Sequence, residues 1–253
     1  MYDEDEDLLI LSDDEELESP LDKLEPVDAE SAEPKPDPEA MLALLEAPES
    51  NQRMLAARAF CELQDSRAIP HLIRLLADTC PLVRVSAAYG LGRNPSPVAV
   101  DALIQQYNTD WNGYVRKGVV WALGNCHDRR TLDTLIDALK TDIPAVRLWA
   151  ASALAQMAQV GYESVLGAIP PLIEAMRRDP VPAVRSNCAW SLGQLSRELP
   201  SNVVYATAID ALLETIVEDE DLGVRDDARS SLLKVGDTRG LQLIAELEQE
   251  GLL

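Results

Sequence analysis

Basic side chains are scarce in this chain, and so are aromatic ones. It sets 22 lysines and arginines against 44 aspartates and glutamates, a formal net charge of −22. Binding to nucleic acid draws on cations that neutralise phosphates, and attraction to an anionic membrane surface works the same way, so neither partner is expected. Only two histidines occur, His71 and His127, far apart in the chain. A nucleophile–base pair therefore has no visible basis. No phosphate loop of the form G-x-x-x-x-G-K-[ST] and no G-x-S-x-G elbow is present. No run approaches the roughly 18 apolar residues that would span a bilayer. The opening Met1-Tyr2-Asp3-Glu4 is the opposite of a basic secretion signal, and a cytoplasmic location is the expectation. Cys61, Cys80, Cys126 and Cys188 form no C-x-x-C pair, which argues against a disulfide framework or a zinc knuckle. These absences point away from an enzyme and from any cofactor, and toward a protein partner.

What the chain does have is unevenly placed. Residues 1–40 hold 17 acidic side chains and two lysines, Lys23 and Lys35, so they carry −15 and the remainder only −7. Residues 1–37 also contain Pro20, Pro26, Pro34 and Pro36. Such a segment buries too little apolar surface to offset the entropy of ordering, and is expected to be a disordered acidic tail. Within it lies an apolar knot, Leu8-Leu9-Ile10-Leu11, flanked by carboxylates. It reads either as a docking motif, for a partner or for the protein's own groove, or as a chance run in a solubilising tail. Residues 38–253 are expected to form the folded part.

That part repeats. Arginines recur at Arg53, Arg84, Arg116, Arg147, Arg185 and Arg225, spaced 31, 32, 31, 38 and 40 residues apart. Three positions after each comes a small or modest residue (Ala56, Ala87, Val119, Ala150, Cys188, Ala228), and seven after it a large apolar one (Phe60, Leu91, Leu123, Leu154, Leu192, Leu232). An aspartate precedes five of the arginines by five or six places: Asp78, Asp110, Asp142, Asp179, Asp219. Between these blocks lie stretches such as 68–76 and 131–139, whose apolar residues fall three and four apart. That spacing is helical and not alternating. The pattern predicts an all-α solenoid of about six helix pairs, each needing its neighbours to bury its apolar face.

Helical geometry sorts the repeated positions. At about 100° per residue, offsets +3, +4 and +7 from the arginine cluster on the packed side. Offsets +1, +2, +5 and +9 fall opposite, on what is expected to be the concave surface. The residues gathered there include Tyr89, Arg93, Trp121, Asn125, Trp149, Gln156, Trp190 and Gln194. Three of the four tryptophans thus share one ridge, and tryptophan, tyrosine and arginine dominate binding hot spots. The ridge reads as a partner-binding groove; the bland alternative is that the indoles merely fill space between neighbouring helices. The arginines are expected to tie adjacent repeats through the turn aspartates. Cys126-His127-Asp128 offers three donors in a row, yet consecutive residues rarely converge on one metal. Cys126 and His127 are weak metal candidates, and no metal is expected.

The recurrent Val-Arg-x-x-Ala-Ala-x-x-Leu-Gly, as in Val83-Arg84 to Leu91-Gly92, resembles the HEAT-like repeat of phycobilin lyase subunits over residues 50–235. A fuller resemblance is carried by residues 1–17 and by Trp111-Asn112-Gly113-Tyr114-Val115-Arg116 through Cys126-His127-Asp128. It is similar to cyanobacterial HEAT-repeat proteins that partner an A-type iron–sulfur carrier. That resemblance implies a non-enzymatic scaffold in iron–sulfur cluster assembly, with the carrier as client. The repeat type implies an alternative: a phycobilin lyase or isomerase, or a phycobilisome-associated chaperone. There the client would be a phycobiliprotein, with Tyr89, Trp121 and Trp190 stacking on a tetrapyrrole.

Overall fold

The computed structural model describes residues 36–251. The tail expected at 1–37 lies outside the described residues except for its last two, and so does the apolar knot Leu8, Leu9, Ile10, Leu11.

Among the described residues the chain is all helix, without strands. The helices come in pairs: α1 (Pro38–Leu44) with α2 (Ser50–Ala59), α3 (Ile69–Leu75) with α4 (Pro81–Arg93), and α5 (Val100–Thr109) with α6 (Gly113–Asn125). Then follow α7 (Leu132–Thr141) with α8 (Pro144–Ala155), α9 (Tyr162–Arg178) with α10 (Pro182–Ser196), α11 (Val203–Glu218) with α12 (Leu222–Val235), and a closing α13 (Thr238–Gln249). The expected six-pair array is what forms. Local chemistry sets the boundaries. Pro81, Pro144 and Pro182 occupy the first position of α4, α8 and α10, where the missing N–H is tolerated. Asn112, Asn202 and Asp237 cap α6, α11 and α13 with side-chain oxygens. Gly236, at φ 74°, ends α12 in the left-handed conformation that glycine adopts without strain. The longer arginine spacings of the last repeats follow from longer first helices: α9 has 17 residues and α11 has 16, where α5 and α7 have ten.

The core is one continuous seam along the array. Phe60, Leu72, Leu91, Leu103, Leu123, Leu135, Leu154, Leu192, Leu212 and Leu232 are all fully buried in it. Successive even-numbered helices pack closely along its whole length, while contact between successive odd-numbered ones is sparse. In a two-layer stack the closer-packed layer takes the shorter radius, so the even helices form the inner curve. Glycines permit that approach: a Cβ on Gly124 would sit 2.8 Å from the Cβ of Ala153, and one on Gly193 2.7 Å from the Cβ of Ser231.

The arginine ladder binds each pair to the next. Nε of Arg53, Arg84, Arg116, Arg147 and Arg185 donates to Asp78, Asp110, Asp142, Asp179 and Asp219 of the following repeat, at 2.6 to 2.8 Å. The last four pairs are bidentate through Nη2. Nη1 meanwhile donates to a carbonyl just before the arginine's own helix, as Arg84 does to Asp78. Each guanidinium therefore spans its own turn and its neighbour's. The terminal repeat turns polar, with Asp226 and Asp227 exposed.

Candidate functional site

The inner curve is built from the second half of each pair, whose packed side is fixed by the buried Ala87, Ala88 and Leu91 and their counterparts. Tyr89, Trp121, Asn125, Trp149, Gln156 and Gln194 are half-buried there, and Arg93 is exposed. Trp190 is the most open indole of the ridge, at 36%.

These residues divide into two groups. Trp121 of α6 lies across the preceding helix α4, where Gly92 leaves the room: a Cβ there would be 2.4 Å from the indole Cζ3. Tyr89 meets Trp121 with ring centroids 5.3 Å apart, tilted by 50°. Arg93 sets its guanidinium 5.9 Å from the Trp121 centroid, within cation–π range. Asn125 Nδ2 donates to the Gly92 carbonyl at 3.1 Å. One repeat on, Lys117 Nζ lies 5.4 Å from the Trp149 ring. Trp149 also packs against the core, so the space-filling role accounts for part of that side chain. The second group surrounds Trp190. With Leu148, Ser152, Ala183, Ser186, Asn187 and Asp227 it lines an open pocket of about 420 Å³. The Ser186 hydroxyl donates to the Asp227 carboxylate.

Lys117 was not singled out from the sequence, although offset +1 places it on the same side. Trp111 and Tyr114 were missed as well, at 78% and 74% exposure: Trp111 precedes α6, and Tyr114 lies two places before Arg116, ahead of the offsets counted.

The thiols and the Cys126-His127-Asp128 turn do not assemble a metal centre. No group of three or more His, Cys, Asp or Glu side chains suited to a metal occurs among the described residues. His127 takes a left-handed φ of 47° as α6 ends, and Asp128 is held by Arg130 at 2.8 Å. Burial pushes the Cys126 thiol up to about 11 and raises Cys61 and Cys188 as well. Cys188 is fully buried at the small packed position of its repeat, the place its offset indicated. No described helix is long and apolar enough to cross a membrane.

Comparison with known proteins adds the lineage. A family model of HEAT repeats matches residues 38–124, 100–168 and 169–250. The chain belongs to the HEAT-repeat family. This HEAT-repeat protein is 37% identical over 103 residues to the bilin biosynthesis protein RpcF of Synechococcus sp. (strain WH8020), across 40% of the present chain. The match spans about half of that relative, 48% of its length. Among solved structures it is similar to the complex of CpcE and CpcF of phycocyanin lyase from Nostoc sp. PCC7120. There the TM-score is 0.53 and the identity 26%, over 66% of this chain and 99% of that one. An engineered protein superposes with a TM-score of 0.60 at 22% identity, over 79% of this chain and 98% of that one, which shows the fold alone. The expectation of a non-enzymatic scaffold for iron–sulfur assembly is overturned by these likenesses. These relatives are a bilin biosynthesis protein and a phycocyanin lyase complex, and neither supports an A-type carrier as client.

Proposed function

We propose that this HEAT-repeat protein works on bilin chromophores and phycobiliproteins, as a subunit of the phycobilin lyase type. The observation that carries this reading is the row of rings and cations on the inner curve, Tyr89–Trp121–Arg93 followed by Lys117–Trp149. A bilin is a linear tetrapyrrole: a flat conjugated body with apolar faces and carboxylate side arms. Aromatic side chains take such faces by stacking, and cations held beside them take the carboxylates. The kinship with RpcF and with the CpcE–CpcF complex supports the same chemistry.

The role of the chain is to hold and present the chromophore. Cys61, Cys126 and Cys188 are kept protonated near neutral pH by burial, so none of the three is fitted to accept a bilin covalently. A second polypeptide as acceptor fits the long concave surface, which suits a protein client.

The test mixes the purified protein with a bilin and an apo-phycobiliprotein, and follows covalently attached colour after denaturation. Attachment that is faster or more uniform than in the protein-free control supports the reading. Tight binding of the apo-protein without transfer moves the role to a chaperone. No effect on attachment and no binding of either component removes it.

A further inference from the structure

We propose that Arg93 and Lys117 are the carboxylate receptors that orient the bilin along Trp121 and Trp149, and that the Trp190 end of the face takes no part in anion recognition. This rests on the bilin reading and assigns its subsite.

Most cations in this acidic chain are spent on carboxylates. The ladder arginines take the turn aspartates, and Arg67, Arg74, Arg130, Arg177 and Arg239 pair with other acidic side chains. Arg93 and Lys117 differ. Each lies over an indole of the next repeat, and among the described residues neither meets a carboxylate. A cation resting on a ring keeps its charge and its N–H donors for another acceptor; a guanidinium carries five of these and an ammonium three.

The two cations address successive rings. Arg93 of α4 sits 5.9 Å from the Trp121 centroid of α6, and Lys117 of α6 sits 5.4 Å from the Trp149 centroid of α8. A planar body lying along Trp121 and Trp149 thus has a cation from α4 and one from α6 beside it. The ligand class that fits is a flat conjugated dicarboxylate, which describes a bilin with its two propionates. Around Trp190 the wall is uncharged except for Asp227, with Asp226 next to it in sequence. A carboxylate is repelled there, so the face is polarised along its length.

Biliverdin as the free diacid and as its dimethyl ester is the probe, titrated against the full chain by tryptophan quenching and visible absorption. Loss of charge-assisted contacts predicts that the ester binds about tenfold more weakly than the diacid. Arg93→Gln combined with Lys117→Gln should abolish that preference, and Trp190→Ala should keep it. If the double variant does not fold, Lys117→Gln alone should reduce the preference. Equal affinity for diacid and ester in the wild type overturns the assignment while leaving the bilin reading standing, as does a preference that survives the glutamine changes. Failure of both compounds to bind removes the assignment and the bilin reading together.

Discussion

The guanidinium of Arg84 donates two hydrogen bonds to Asp110, from Nε at 2.7 Å and from Nη2 at 3.0 Å, with both side chains buried. Asp110 also accepts from the Asn112 N–H and from Gln106. This pair joins two repeats, and removing one partner strands a buried charge. Asp110→Ala is expected to cost about 3–5 kcal/mol. Asp226→Ala, at an exposed position of the last repeat, should stay within about 0.5 kcal/mol. Denaturant titration of the two variants checks the contrast, and equal costs would contradict it.

The same ladder gives the fold an acid limit. Burial works against the charge of Asp110, but the Arg84 hydrogen bond, the Asn112 N–H, Gln106 and the Arg84 charge together hold its carboxyl below the usual range. Asp78, Asp142, Asp179 and Asp219 are shifted the same way for the same reasons. A carboxyl whose pKa is lower folded than unfolded stabilises the fold above the unfolded value of about 3.9. That contribution disappears as pH falls through the folded value. The stability gap between wild type and Asp110→Asn should therefore be constant from about pH 7 to 5 and shrink below about pH 4. A gap that stays level down to pH 3 would contradict the ladder.

Gly92→Ala tests how Trp121 is seated. Alanine favours a helix interior by about 1 kcal/mol over glycine. Here its Cβ would lie 2.4 Å from the indole and 3.1 Å from the backbone Cα of Ala122, and the backbone cannot yield cheaply. Overpacking of about 1–3 kcal/mol should win, with a shift in tryptophan emission as the ring is displaced. A stabilised variant with unchanged emission would show that the seating is wrong.

Thiol reactivity offers a separate check. Burial holds Cys126 up to about 11, and the fully buried Cys188 is raised too. In the native protein at pH 7.5, alkylation followed by peptide mass spectrometry should find both almost unmodified, with Cys126 labelling increasing toward pH 11. Rapid labelling of Cys126 at neutral pH would refute the burial argument.

The array was legible because its packing rule is periodic. Each ladder arginine and the small residue three places on must recur wherever two helices meet, so the register of Arg84, Ala87 and Leu91 announces the fold. The aspartates were also visible, although the link from Arg84 to Asp110 crosses to the next repeat and depends on how pairs stack. The site was only partly legible. Counting helix faces gathers Tyr89, Trp121 and Trp190, yet it says nothing of Lys117 resting on Trp149, a contact made between repeats. It also passes over Trp111, which precedes α6, and Tyr114, which lies ahead of the arginine from which the offsets run. Function was the least legible part. A HEAT repeat records helix packing and leaves the cargo unstated, so the iron–sulfur expectation had no ring, cation or ligand set to anchor it.

The proposed working surface is the inner curve. Its most direct test is bilin attachment to an apo-phycobiliprotein by Trp121→Ala and Trp190→Ala together, in protein whose helical circular dichroism and unfolding midpoint confirm an intact array. Trp111→Ala, on the exposed edge, serves as the control. Attachment should fall about tenfold or more with the inner-curve pair, in line with hot-spot aromatics, and stay unchanged with Trp111→Ala. Full attachment by the folded Trp121→Ala, Trp190→Ala protein would contradict the account.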